Sequence, residues 1–450
     1  MTVDYLNILD PIIEDNSIES LQYSEYAPQS QNNLDNPGGT ILIEINASDD
    51  YLIPAKSFIH IKGQLVRNDN NNPYDANSNI SLVNNAMMYL FDNISYKIDT
   101  TVVETITEPG QITSMLGYLS YPDDYNSCAG LMSCWCKDTT NNAVSRKYAA
   151  SQAAPVAGYT PDENPEYNQR FAARKALLMS ANPRGTFSFL IPFDHVFGFG
   201  CYSKVIYNVK HSLKFTRMSS DNQAIHRANG VPDGKIRLTS MAWRVPHVNL
   251  ELTKLMELRG IVESKEIISV GFQARTTNSS VVNEARLFQW TTNVLNGVEK
   301  PRWIIVGFQT NKSDTQEQNP AVFDNLNLTK AYAKLNHVKY PSEDLIINFP
   351  TNDYALLYEM FDSFKKEYYG FNSLVGGTQV NFPSYKSLYL IIVFDVRHQN
   401  EKLAVGIMNM QLKFEFRDAV PANTTAYVTI ISDRVYQLKS DGKNLVLISK

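Results

Sequence analysis

From Thr40 onward, apolar and polar positions alternate with a period of two through most of the chain. Thr40 to Asn46 predicts a short strand. Ser57 to Arg67 sets Ile59, Ile61 and Leu65 on one face against His60, Lys62 and Gln64 on the other, the pattern of a half-buried strand. Ala86 to Asp99 and Thr101 to Ile106 predict two strands across a tight turn. After residue 184, Phe187, Phe189, Ile191 and Phe193 face one way, Lys204 to Arg217 alternates, and Asp233-Gly234 turns into a strand from Lys235 to Val245.

The alternation pauses at Leu250 to Leu258, a helical linker followed by Arg259 and Gly260, and then begins again. Strands are expected at Val262 to Arg275, Ala285 to Thr292, Arg302 to Gln309, Ala331 to His337, Asp344 to Phe349, Leu388 to Val396, Met408 to Arg417 and Ala426 to Ser432. A closing hairpin, Arg434 to Leu438 with Asn444 to Ile448, surrounds Ser440-Asp441-Gly442-Lys443. One helix interrupts the second set. Tyr354, Leu357, Phe361, Phe364 and Tyr368 recur at helical spacing, with Thr351 or Asn352 as cap and Gly370 as stop.

The chain of 450 residues therefore reads as all-β: two tandem sets of about eight strands, residues 37–249 and 250–450, the second carrying helix 354–369. Sets of this size must close into sandwiches or barrels to hide their edges. Residues 1–36 are polar and acidic and read as an N-terminal arm. Residues 120–184 are a long polar segment with a short helix at Arg170 to Ser180. A segment of that length decorates a surface or serves function.

Charge sharpens the picture of the arm. The net charge is −5, yet no Lys or Arg precedes Lys56, and ten carboxylates fall in the first 55 residues, leaving the remainder mildly basic at +5. The arm suits either a neighbour's surface or solvent. Aromatics are abundant at 11% and charged residues sparse at 19%, which excludes a disordered chain and suits extensive protein contact. The negative total argues against a dedicated nucleic-acid binder. The sequence shows no secretory leader and no apolar run of membrane length. Its four cysteines, Cys128, Cys134, Cys136 and Cys201, are expected as free thiols in an intracellularly made protein.

The chemistry-bearing motifs are few. No phosphate-binding loop, dinucleotide fingerprint, zinc-protease motif or nucleophile elbow occurs. Gly198-Phe-Gly200-Cys-Tyr-Ser203 lacks a third glycine. Cys128, Cys134 and Cys136 have the wrong spacing for a metal and no fourth ligand nearby, so they read as structural thiols. Asp194-His195 beside Cys201 could be drawn as base and nucleophile, but their place at a strand end favours turn hydrogen bonding. Arg170, Arg174 and Lys175 read as the solvated face of a helix. Met87, Met88, Met408 and Met410 read as core filling. No catalytic residue, cofactor site or metal site is expected.

Four stretches carry a resemblance. They are Leu90-Phe-Asp-Asn-Ile-Ser-Tyr-Lys-Ile-Asp99 with Val103-Glu-Thr105 and Pro109-Gly-Gln-Ile-Thr113; Phe187-Ser-Phe-Leu-Ile-Pro192 with Val205-Ile-Tyr207 and Lys210-His211; Trp243-Arg-Val-Pro246; and Pro301-Arg-Trp-Ile-Ile-Val-Gly-Phe-Gln-Thr310 with Asn319-Pro320 and Phe323-Asp324. In this joint order, over residues 40–450, the chain resembles the double jelly-roll major capsid proteins of adenovirus-hexon type, nearest to those of Polinton/Maverick elements and adintoviruses. The resemblance implies two eight-stranded jelly rolls with a few short helices in loops, and homotrimeric, pseudo-hexagonal capsomers. These would tile an icosahedral shell around a DNA genome. Implied partners are further copies of the chain, a separate vertex (penton) protein and minor capsid proteins, with at most weak genome contact and no membrane span. Segment 120–184 and the loop at 310–325 would decorate the outer face, and the arm and closing hairpin would tie neighbours together. The alternative is a jelly-roll carbohydrate- or receptor-binding protein. A cupin-type enzyme would need a His and Glu metal cluster that the sequence lacks.

Overall fold

The computed structural model describes residues 17–30, 34–48, 50–148, 164–294, 300–336, 338–370, 378–398, 408–440 and 445–449. In the first half the strands are β1 Ile18–Tyr26, β2 Thr40–Ile45, β3 Tyr51–Leu52, β4 Phe58–Arg67, β5 Ile80–Leu82, β6 Phe91–Ile98, β7 Thr101–Thr107, β8 Thr186–Pro192, β9 Ile206–Tyr207, β10 His211–Arg217, β11 Ile225–Arg227 and β12 Gly234–Leu250. Helices α1 Ala86–Tyr89, α2 Pro109–Ser120, α3 Gln169–Ser180 and α4 Phe193–Val196 lie in its connections, and α5 Leu252–Glu263 links the halves. The second half holds β13 Ile267–Val282, β14 Leu287–Val294, β15 Lys300–Thr310, β16 Leu328–Leu335, β17 Val338–Tyr340, β18 Ile391–Asp395, β19 Met408–Phe416, β20 Thr424–Ser440 and β21 Leu445–Ser449, with α6 Ala355–Tyr369 and α7 Phe382–Leu388.

Both halves obey one strand order. In the first, β1-β12-β4-β8 forms one sheet, extended by β3 and β9, and β2-β10-β6-β7 forms the other. In the second, β13-β20-β15-β18, with β21 on β20, faces β14-β19-β16-β17. Numbered within its own roll, each pair of sheets runs first–eighth–third–sixth and second–seventh–fourth–fifth. This is the jelly roll, in which the earliest and latest strands end up side by side.

Alternation dictates the cores. Ile59, Ile61 and Leu65 of β4 are fully buried, as expected. Tyr96 lies amid Phe193, Phe197 and Phe199, with ring centroids 5.1, 5.8 and 5.2 Å away, and Trp243 closes the cluster, its Nε1 donating to Ser57 Oγ at 2.9 Å. The second core gathers Phe288, Phe308, Phe414 and Phe416, with Phe308 edge-on to Phe414 at 5.1 Å. Met87, Met88 and Met410 are core residues; the Met408 side chain lies outside the described residues. Helix α6 buries Leu357, Phe361 and Phe364, and Gly370 ends it at φ +71°.

The structure departs from expectation at several points. Residues 1–36 are not all arm: Ile18–Tyr26 is the first strand of the first roll, antiparallel to Trp243–Leu250. Its alternation was illegible because most of its side chains are exposed, Ile18, Leu21 and Tyr23 by more than 40%. Residues 1–16 lie outside the described residues. Residues 86–89 turn as α1 before the strand, and α5 runs on through Val262, which delays β13 to Ile267. Residues 344–349 form no ladder, only two isolated bridges, Ile346 with Lys330 and Asn348 with Asp353. Tyr354, not Thr351 or Asn352, stands at the start of α6, without a side-chain cap. The expected strands at 426–432 and 434–438 are one strand, β20, matched to β13 from Ile267↔Lys439 to Val282↔Thr424. In the closing hairpin β21 pairs with β20, and the turn at 441–443 lies outside the described residues.

If β1 belongs to the roll, two truncations must differ. Removing residues 1–16 should leave the urea midpoint unchanged. Removing 1–26 strips β12 of an edge partner and should cost on the order of 2–4 kcal/mol, the net worth of a few ladder hydrogen bonds. Equal effects from both truncations would contradict the assignment.

Candidate site at the seam between the rolls

A dense set of polar contacts lies where the rolls meet. Glu104 of β7 is 2% exposed. Its carboxylate accepts from the amides of Gly198 at 3.2 Å, Phe199 at 2.8 Å and, across the seam, Arg275 of β13 at 2.8 Å. Burial raises the Glu104 pKa against the opposing pull of the Arg275 amide and guanidinium. Arg275 reaches back, donating to the carbonyls of His195 at 2.8 Å and Asp194 at 2.9 Å. Nearby, Thr107 and Thr277 join through amide and hydroxyl, both at 2.8–2.9 Å. Phe199 meets Phe272 edge-on at 5.0 Å.

This explains Gly198-Phe-Gly200. A Cβ at Gly198 would lie 1.9 Å from the Gln273 carbonyl oxygen, so only glycine lets this turn touch the second roll. It also resolves Asp194, His195 and Cys201. His195 Nε2 donates to Asn85 Oδ1 at 3.1 Å and Nδ1 accepts from the Tyr121 hydroxyl at 2.8 Å. Both ring nitrogens are engaged, so neither can serve Cys201. Burial, aided by Arg275, pushes the His195 pKa down to about 3. These residues build a turn, as their position suggested.

A second polar knot comes from the segment expected to be decoration. Cys134, Trp135, Cys136 and Asp138 are buried. Asp138 pairs with Arg174 of α3 at 2.6 Å and accepts from Asn168 and from Asn319 of the second roll, both at 2.9 Å, while Tyr389 donates to its carbonyl at 2.6 Å. Arg174 also donates to the Leu82 carbonyl at 2.8 Å and to the Cys136 carbonyl. Arg174 is thus no solvated cation but a buried tie, and Lys175 bonds to Asn79 and Ser145 at 3.1 Å; Arg170 is half-buried. The thiols fit a structural role. Burial lifts the Cys134 pKa to about 12, and its Sγ lies 3.7 Å from the Val83 carbonyl. Cys128 is exposed at the rim.

The loop at 310–325 is likewise inserted. Gln316 exchanges two hydrogen bonds with Gly234, at 2.8 and 2.7 Å. Tyr89 and Tyr118 of the first roll donate to the carbonyls of Pro320 and Ala321, each at 2.7 Å. Sequence reasoning missed α2, which supplies Tyr118 and Gly117. It is buried on every side, so no amphipathic stripe marked it. Gln379 completes the seam by donating to the Gly117 carbonyl at 2.7 Å and accepting from Trp135 Nε1 at 3.3 Å. Within 120–184 and 310–325, Trp135, Asp138, Gln316 and Asn319 are buried in contacts between the rolls, while Asp123, Asp124, Leu177, Ser313 and Asp314 are exposed. Residues 149–163 of the former segment lie outside the described residues.

Elsewhere, a cavity of about 680 Å³ is lined by residues of 35–37, 217–222 and 233–237 together with Asn68, Asn71 and Gln316, with no aromatic side chain among them. Among the described residues no cluster of metal-binding side chains occurs, and no helix is long and apolar enough to cross a membrane.

Two rolls of one strand order, locked by a polar seam, define the double jelly-roll class. A model of the double jelly roll-like domain matches residues 159–436, more than half of the chain, and the chain belongs to that family. Similar folds occur in a chain of the Sputnik virophage structure (11% identity, TM-score 0.58, covering 99% of this chain and 91% of that one). They occur also in the mavirus major capsid protein (11%, 0.52, 99% and 93%) and the Faustovirus major capsid protein (8%, 0.52, 98% and 92%). No curated protein matches the chain by sequence.

Two measurements test the seam. Asp138→Ala leaves Arg174 buried without its carboxylate and should cost about 3–5 kcal/mol in chemical denaturation; a loss below 1 kcal/mol would reduce the pair to a bystander. The second is acidification. Burial pushes the pKa of His195 down to about 3 and that of His211 to about 4, below the ordinary histidine value of about 6.5. The unfolded chain therefore takes up those protons first. Stability should be complete above pH 6.5 and fall as pH drops towards 4, by up to about 1.4 kcal/mol per pH unit for each histidine. A His195→Gln, His211→Gln protein should show a flatter profile over that range.

Proposed function

We propose that this chain is a viral major capsid protein whose trimers tile an icosahedral shell around a DNA genome. The observation that carries the reading is the presence, in one chain, of two rolls with identical strand order held by a buried seam. Three such chains about a threefold axis offer six similar barrels. A trimer then has a pseudo-hexagonal outline while keeping exact threefold symmetry. Because the rolls differ in sequence, adjacent edges of the hexagon can carry different contacts. Membership of the double jelly-roll family and the capsid proteins that share the fold support the assignment.

On this reading the protein works through surfaces and performs no catalysis. Its partners are further copies of itself, a separate vertex protein at the fivefold positions and minor capsid proteins, and its place is the virion shell. Contact with the genome is weak, since the body is only mildly basic. The carbohydrate-binding alternative draws little from the cavity at 217–222 and 233–237, whose lining offers no aromatic platform for a sugar ring.

Light-scattering mass on the purified protein tests this directly. The expected species weighs about 153 kDa, three times the 50.9 kDa chain, and shows hexagonal outlines in negative stain. A monodisperse monomer at every salt concentration and pH tried would leave the fold standing and remove the capsid reading.

A further inference from the structure

The sheet β14-β19-β16-β17 turns an unusual face to solvent. Tyr332 stands at its centre with three ammonium groups over its ring, those of Lys334, Lys339 and Lys413, at 5.6, 5.2 and 5.6 Å from the centroid. Strand register explains the gathering. Lys413 lies opposite Tyr332, Lys339 opposite Lys334, and Lys330 two places along β16 on the same face. Glu415 is shared by Lys413 at 3.3 Å and Lys330 at 3.9 Å, and Asp344 pairs with Lys339. Among the described residues no carboxylate pairs with Lys334. Four cations against two anions leave the face positive. Its end is apolar: the row through Lys330 and Glu415 is flanked by Leu287 and Ile346, 49% and 66% exposed. A face that mixes ammonium groups, one aromatic ring and exposed aliphatics fits a peptide that carries both acids and aliphatics and no cation.

The chain contains such a peptide. Residues 1–16 carry Asp4, Asp10, Glu14 and Asp15, no Lys or Arg, and the aliphatics Leu6, Ile8, Leu9, Ile12 and Ile13. The stretch leads into β1, whose start is fixed at the end of the first roll, where the Ser17 carbonyl accepts from the Glu251 amide at 3.1 Å. Sixteen extended residues span at most about 55 Å. The lysine-bearing sheet belongs to the second roll, and among the described residues it shares no hydrogen bond with the first. We infer that residues 1–16 of one copy lie across the Tyr332 face of a neighbouring copy, acids on the lysines and aliphatics against Leu287 and Ile346. The inference rests on the assembly reading and names the surface that would receive the arm. Exposed cross-copy ion pairs are weak singly and screened by salt, so the tie is adjustable by ionic strength.

The test is zero-length carbodiimide cross-linking of an assembled mixture of ¹⁵N-labelled and unlabelled full-length chains, read by mass spectrometry. The expected products join carboxylates of residues 1–16 to Lys330, Lys334, Lys339 or Lys413 in mixed-isotope pairs. They should fall at least tenfold in a Lys330→Glu, Lys413→Glu variant that retains its melting temperature and oligomeric mass. Links confined to same-isotope pairs would overturn the proposal. So would the absence of any such link in material that light scattering reports as assembled. A chain that stays monomeric overturns the assembly reading, and this inference with it.

Discussion

A carboxylate sealed between two barrels must be hydrogen-bonded on both sides or it cannot stay there. Glu104 meets that demand with amides from the Gly198 turn and from β13, and so fixes three segments at once. The position of the second roll against the first follows from this pin. Gly198 must approach Gln273 closely enough for the amides to converge, Arg275 must turn back to the carbonyls of 194 and 195, and the 310–325 loop then falls within reach of Tyr89 and Tyr118. Hydrophobic burial builds each barrel, but it is indifferent to direction. The directional groups are what make the pair of barrels one object.

That division of labour explains what the sequence disclosed. Period-two stretches such as 57–67 and 408–417 face a core on one side and solvent on the other, so their alternation reveals them. The spacing of Tyr354, Leu357, Phe361 and Phe364 reveals α6 for the same reason. Elements without two unlike faces gave no signal: β1 is mostly exposed, and α2 is buried from Pro109 to Leu119. The seam was illegible for a different reason. Arg174 looks like a surface cation until Asp138, 36 residues earlier, is folded under it, and Asn319 joins them from the other roll. Polar residues of 120–184 and 310–325 were read as loop because polarity in a chain does not say whether the partner is water or another side chain.

Division of labour also separates permanence from reversibility. Inside the chain, the ties are buried and directional, so a single deletion is expensive. On the outer sheets, charges are wet and shared, as at Glu415 with its two lysines. A shell protein needs both: a body that never rearranges, and edges whose contacts can be made, corrected and remade while a lattice grows.

The adjacency of β1 and β12 has a consequence for synthesis. Ile18 pairs with Leu250, so the opening strand has no ladder until more than two hundred further residues exist. At ribosomal speeds of roughly 5–20 residues per second, that wait is on the order of 10–50 s. The second roll repeats the delay between Val282 and Thr424. Each nascent barrel therefore spends its making as an incomplete sheet with a vacant edge, and at high expression in a crowded cell the hazard is pairing with another unfinished chain.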